Sequence, residues 1–234
     1  MQLHIKCTEG LEIISFCSPN RKRRKRRELH ISRMKTVGII TIQSLTPNYG
    51  NRLQNYATQE IYKDLNIEPC TIMYNPNHFS LKRLISIMVA IISFGKIQLS
   101  KTPMYAIRKQ KKFFDFNKKY IKYKYIKNFH RECNYDVLSV GSDQVWNPTW
   151  YDDKQPEIFM LSFSKAATKI AFSASFGIDK LPIEWEAFFS DHIGQMSYLS
   201  CREDTGAKIV KELTGREAEV IVDPTLLLDG DDWR

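Results

Sequence analysis

From Met34 onward, short apolar runs alternate with amphipathic stretches along the chain. "TVGIITI" (Thr36–Ile42) is apolar and rich in β-branched residues, the pattern of a strand covered on both faces. After Gly50, residues Leu53, Ala57, Ile61 and Leu65 recur at helical spacing and predict one buried stripe on a helix. "PCTIMY" (Pro69–Tyr74) predicts a second strand, and two helical segments follow, about Leu81–Phe94 and Met104–Lys119. Further strands are predicted at Tyr135–Val140, Lys169–Ser175, Met196–Cys201 and Glu219–Pro224. Helices are predicted at Ile183–Gly194 and Thr205–Gly215, with Gly215 at the C-cap of the latter. Strands that alternate with helices specify an α/β fold, a Rossmann-like parallel sheet with helices on both faces. Ligands of such sheets bind at the carboxyl ends of the strands.

Charge changes this picture at the N-terminus. The chain has 234 residues and a formal net charge of +9, but residues 1–33 hold nine Lys/Arg against three Asp/Glu. That leaves +3 for residues 34–234, where the span 101–131 concentrates eleven Lys/Arg against Asp115 alone. The run "RKRRKRR" (Arg21–Arg27) has no amphipathic period, and seven adjacent cations repel one another. A nuclear-import or nucleic-acid arm is one reading of it. A disordered basic extension over residues 1–33, translated from an upstream start codon, is preferred, because no aromatic residues interleave the run. The domain division is then 1–33 as extension and 34–234 as one Rossmann-like domain.

Apolar residues make up 43% of the chain, enough for a core. The longest apolar run, "LISIMVAIISFG" (Leu84–Gly95), is shorter than the roughly 20 residues that span a bilayer. No transmembrane segment is expected, and that run reads as a buried or interfacial helix, compatible with association at a membrane surface. Five scattered cysteines, with no C-x-x-C pair and no zinc spacing, predict reduced thiols in a cytoplasmic protein without a metal.

Five polar constellations fall at predicted strand ends. The first, "TPNYGNRLQNYATQ" (Thr46–Gln59), joins the first strand to the first helix. Free backbone N–H groups, the positive end of a helix dipole and Arg52 suit an anion there. Gly50 admits a ligand to the backbone, Asn48 caps the helix, and Asn51 and Gln54 offer amides to a sugar or a phosphate. The same residues also make a merely capped turn. The second, "VGSDQVWNP" (Val140–Pro148), offers Ser142, Asp143 and Gln144 to hydroxyls and Trp146 to a ring face. Its alternative is an N-cap Asp143 with Trp146 in the core. "SASFG" (Ser173–Gly177) contributes Ser175. "SCREDTG" (Ser200–Gly206) contributes Arg202, with Asp204 as an N-cap. "VDPTLLL" (Val222–Leu228) reads as a structural turn around Asp223. No G-x-G-x-x-G or P-loop is present, no cofactor is expected, and no catalytic triad can be read. The terminal "DGDDW" reads as a solvated loop rather than a cation site.

"PNYGNRLQNYATQ", "YDVLSVGSDQVWNP", "KIAFSASFG", "LSCREDTG" and "EVIVDPTLLL", in this order and spacing, resemble the polysaccharide pyruvyl transferase family from about Met34 to the last residue. Thr58 stands where that pattern leads one to expect an apolar residue such as Leu. The resemblance implies the N-terminal domain of a glycosyltransferase-B-type fold, and transfer of a pyruvyl group from phosphoenolpyruvate to a sugar of a bacterial surface polysaccharide, in exopolysaccharide biosynthesis. It implies that this domain faces the acceptor sugar, that the C-terminal domain is missing, and that the chain is truncated and inactive alone. Its partners would be phosphoenolpyruvate and a carbohydrate acceptor, not nucleic acid, with self-association through an uncovered interface. The implied substrate-binding residues are Asn48, Gly50, Asn51, Arg52, Gln54, Ser142, Asp143, Gln144, Trp146, Ser175 and Arg202; no catalytic acid is identified. The alternative is a non-catalytic module that binds a glycan or a partner.

Overall fold

The computed structural model describes residues 2–8, 11–17, 34–42, 48–74, 104–151, 155–164 and 168–233. Gln2–Thr8 (β1) and Leu11–Cys17 (β2) pair antiparallel, with Gln2 opposite Cys17. Both strands lie in the segment 1–33. Its basic run, Arg21–Arg27, lies outside the described residues, as does the predicted helix Leu81–Phe94.

The remaining strands form one seven-stranded parallel sheet. They are β3 (Thr36–Ile40), β4 (Glu68–Tyr74), β5 (Tyr123–Ile126), β6 (Val137–Val140), β7 (Thr168–Ala174), β8 (Tyr198–Cys201) and β9 (Glu219–Val220), in the spatial order β5-β4-β3-β6-β7-β8-β9. The helices are α1 (Tyr49–Asp64), α2 (Met104–Tyr120), α3 (Phe129–Glu132), α4 (Gln155–Phe159), α5 (Ile183–Gly194) and α6 (Asp204–Thr214), with 3-10 turns at Pro148–Trp150 and Pro224–Leu226. The order grows outward in both directions from β3 and β6. The chain leaves β3 toward one edge and returns at β6 to build the other, so a crevice opens between the loops that follow these two strands. Among the described residues no helix is long and apolar enough to cross a membrane.

Both sheet faces are buried, as the apolar runs require. Ile40, Leu138, Val140 and Ala171 point to one core, with Trp146, Phe176, Phe189 and Ile193. Val37, Ile39, Val137, Ile170 and Phe172 point to the other, beneath Tyr62 of α1. β5 was not predicted. Its sequence "YKYI" lies inside the lysine-rich span, and its exposed lysine fits an edge strand, where charge blocks further pairing.

Three local expectations are corrected. On α1 the predicted stripe is only partly buried: Ala57 is inside, while Leu53, Ile61 and Leu65 are half-buried. The buried face is mainly polar and comprises Asn51, Gln54, Asn55, Thr58, Gln59 and Tyr62 as well as Ala57. Thr58 fits that face by donating its hydroxyl to the Gln54 carbonyl at 2.8 Å. At α6, Glu203 rather than Asp204 holds the N-cap position, and its Oε1 accepts instead from Phe176 N at 3.0 Å. Asp204 stands in the first helical turn, where a carboxylate favours the helix dipole. β9 is two residues long, because the chain turns into the Pro224–Leu226 helix just beyond it. The C-cap at Gly215 is as expected, with φ of +70° and its N–H on the Lys211 carbonyl at 2.9 Å.

Candidate functional site

The crevice at the switch between β3 and β6 is a cleft of about 500 Å³ at the carboxyl end of the sheet. α1 builds one wall. Asn48 caps the helix by accepting from Asn51 N at 3.2 Å, which fixes where the first turn begins. Two side chains of that turn then tie the loops together. Gln54 donates its amide to Thr41 Oγ1 at 2.7 Å and accepts from Ser142 N at 3.1 Å, so it bridges the ends of β3 and β6. Asn51 donates to the Ile42 carbonyl and to Asp143 Oδ2, the latter at 3.2 Å. The Asp143 carbonyl in turn accepts from Ser175 N at 3.1 Å, which holds the loop after β7 to the same frame.

The opposite wall comes from the loops after β8 and β9. Arg202 reaches Asp223 Oδ2 at 3.5 Å and Glu203 Oε2 at 3.8 Å. Asp223 Oδ2 also accepts from Ser142 Oγ at 2.8 Å, and its Oδ1 accepts from Thr225 N at 3.0 Å and Thr225 Oγ1 at 2.8 Å. Asp223 thus joins three strand ends, although sequence reading made it a plain turn residue. The signal was available. A carboxylate just after the last strand of a parallel sheet stands at the same edge as the other loops, and an Asp before Pro is preset as a cap.

The fit around Gly141 and Gly177 explains two of the motif glycines. Gly141 has φ of +121°, and a Cβ there would stand 2.1 Å from the Phe172 carbonyl oxygen. The Gly141–Ser142 peptide is cis. Gly177 has φ of +62°, and a Cβ there would meet the Gln144 amide carbon at 2.4 Å. Gln144 is therefore packed against the loop after β7.

The cleft brings together Asn48, Gly50, Asn51, Gln54, Asp143 and Arg202 from the anticipated set. It adds Leu53, Asp223, Thr225, Leu226 and Trp233. Five anticipated residues do not line it. Trp146 is 0% exposed and packs against Phe176 in a tilted pair at 5.2 Å between ring centroids, so it has no face for a sugar and belongs to the core. Ser142 and Ser175 are also buried. Among the described residues the Ser175 hydroxyl has no hydrogen-bond partner, whereas Ser142 holds Asp223 from behind. Gln144 packs on Gly177, as above. Arg52 turns toward α2, with its guanidinium on Asn51 Oδ1 at 3.1 Å and 5.7 Å from the centre of the Phe113 ring; burial pushes its pKa down. Of the two arginines, Arg202 is the one in the cleft.

Asp143 is the carboxylate with most capacity left. Oδ1 accepts from Gln144 N at 2.9 Å and Oδ2 from Asn51, and among the described residues no cation pairs with it. Among the same residues no cluster of three or more His, Cys, Asp or Glu could hold a metal ion. Asp229 in the C-terminal turn accepts from the backbone N–H groups of Asp231 and Asp232.

A search of curated proteins returned no significant match. Two solved structures, a mutant of thermostable p-nitrophenylphosphatase from Bacillus stearothermophilus and Bs-TpNPPase, each align with 80% of this chain and 77% of theirs at 13% identity. Their TM-score of 0.19 is too low to carry an argument. The family model for polysaccharide pyruvyl transferases matches residues 48–234, a span that contains every residue lining the cleft, and the chain belongs to that family.

Proposed function

We propose that this domain holds the acceptor sugar of a pyruvyl transfer from phosphoenolpyruvate to a surface polysaccharide. The observation that carries the reading is the chemistry of the cleft. Asn48 and Thr225 present an amide and a hydroxyl, Asp143 and Asp223 present carboxylates, and Trp233 and Leu226 present apolar surface, while Asn51 and Gln54 hold the loops behind them in place. That mixture suits a pyranose, which has hydroxyls on its rim and C–H groups on its faces.

The charge balance argues against the donor's phosphate as occupant of this wall. Among the described residues that line the cleft Arg202 is the only cation, and its guanidinium is already engaged by Asp223 and Glu203. A highly charged phosphoenolpyruvate needs cations that these residues do not supply.

The reaction proceeds by protonation of the donor's methylene carbon and addition of a sugar hydroxyl at the adjacent carbon. Loss of phosphate and addition of a second hydroxyl then close the ketal. Each attacking hydroxyl must give up a proton. Asp143, which accepts from Asn51 and Gln144 N and pairs with no cation among the described residues, is the group we assign to accept it.

Two measurements test the reading. Calorimetric titration with galactose- and N-acetylmannosamine-containing saccharides should show binding that Asp143→Ala weakens, with no matching loss of thermal stability. Phosphate release from phosphoenolpyruvate should show no sustained acceptor-dependent turnover by this chain, because the described residues of the cleft offer the donor no uncommitted cation. Sustained turnover would refute the assignment of this cleft to the acceptor side alone.

A further inference from the structure

Beside the cleft lies an aromatic surface shared by α1, α2 and the C-terminal turn. Trp233 lines the cleft and is 38% exposed. Its ring lies 5.5 Å from Tyr56, which lies 5.9 Å from Tyr120 and 6.2 Å from Phe116. Phe116 and Tyr120 are 5.0 Å apart, and Tyr120 is 40% exposed. The rings therefore run as one continuous set from the cleft wall out along α2. They rest on a firm base, since Phe113 of the same helix is buried and packs on Tyr49 at 4.4 Å.

The rim of this surface carries both signs of charge. Glu60 pairs with Lys63 at 2.7 Å, and Lys119 Nζ lies 4.7 Å from the centre of the Tyr120 ring. Burial, and after it the carboxylates of Glu60 and Asp232, push the Tyr56 hydroxyl pKa up. A polyanion would meet these carboxylates. A neutral ring with an apolar face and a hydroxyl rim would find stacking surface in the middle and hydrogen-bonding groups at the edge.

We propose that the Trp233–Tyr56–Tyr120 surface is a second sugar subsite, which binds the residue of the acceptor glycan adjoining the one in the cleft. The inference rests on the reading of the cleft as an acceptor site. Continuity through Trp233, which belongs to both surfaces, is what assigns the occupant.

The test is calorimetric titration of the full chain with galactose and N-acetylmannosamine, and with di- and trisaccharides ending in each. The longer saccharides should bind about tenfold more tightly than the monosaccharides, as expected for two added ring contacts. Tyr120→Ala should abolish that gain and leave monosaccharide affinity within about twofold, with Tyr120→Phe retaining most of the gain. Equal affinity for mono- and trisaccharides would overturn the subsite and leave the acceptor cleft standing. Absence of any saccharide binding would overturn both. If Tyr120→Ala instead abolishes a concentration-dependent dimer in sedimentation and leaves every saccharide affinity unchanged, the surface is a protein contact and the proposal is wrong.

Discussion

The side-chain amide of Gln59 does the work of a strand neighbour. It is 0% exposed, donates to Thr71 Oγ1 and to the Lys122 carbonyl, both at 2.8 Å, and accepts from Lys122 N at 3.0 Å. Thr71 Oγ1 passes the chain on to Asn55 Oδ1 at 2.7 Å. A buried donor or acceptor left without a partner costs about 1–3 kcal/mol. Gln59→Leu, which keeps the volume and removes the bonds, should therefore lower stability by about 3 kcal/mol in urea denaturation, with little effect on saccharide binding. Gly141→Ala should be worse. The new Cβ would collide with the Phe172 carbonyl, and φ of +121° is closed to alanine, so the variant should lose soluble expression or melt at much lower temperature.

At the scale of elements, α1 shows why a hydrophobic stripe is an incomplete guide. Leu53, Ile61 and Leu65 recur at the right spacing, yet the helix turns its amide-rich face inward. It does so because it lies over the ends of β3 and β6, where backbone groups and Thr41, Ser139 and Ser142 need partners. The first turn has a separate requirement. Gly50 is exposed and helical, and a Cβ there would meet only Asn48 Oδ1 at an ordinary 3.5 Å. Among the described residues nothing demands a glycine at this position. Gly50→Ala should then raise helix stability by up to about 1 kcal/mol, because alanine loses less backbone entropy. If the space above Gly50 is for a ligand, the same change should weaken saccharide binding. A melt and a titration on one variant separate the two effects. Unchanged affinity would mean that the ligand does not approach this turn.

For the molecule as a whole, burial of ionisable groups sets the alkaline limit. Burial, and after it Glu203, pushes the Cys201 thiol from its ordinary 9.0 up to about 12. Burial likewise pushes the Tyr62 hydroxyl from 10.0 up to about 12, against the opposing hydrogen bond to Ser139. In both cases the unfolded chain releases the proton first as pH rises. Between the unfolded and folded values the native state binds more protons, so stability falls with rising pH. The contribution is fully present below about pH 9 and is lost through about pH 12. Thermal melts under reducing conditions should show a melting temperature that is steady near neutrality and declines above pH 9. Cys201→Ala should blunt the earliest part of that decline. A melting temperature that holds to pH 11 in the parent protein would contradict this account.

Much of the architecture was determined by local pattern alone. Apolar runs such as "TVGII" and "VLSV" have to be covered on both faces, and alternation with helices leaves a parallel sheet as the arrangement that covers them. The helix Ile183–Gly194, the cap at Gly215 and the cap at Asn48 follow from rules that act within a few residues. The same locality placed the loops after β3, β6 and β8 at one edge, and Asn51, Asp143 and Arg202 with them. The tertiary structure decided which side chains turn into the cleft. Trp146 and Asp143 are three residues apart in one motif, yet the close approach of the strands sends the indole into the core and leaves the carboxylate in the cleft. Arg52 and Arg202 stand at the same edge, but Phe113 of α2 draws the first away and Asp223 holds the second in place. The roles of Asp223 and Trp233 depend on contacts with residues about 80 and 180 positions earlier, Ser142 and Tyr56. Such contacts leave no period in the sequence, because they are set by the order of strands in the sheet and not by spacing along the chain.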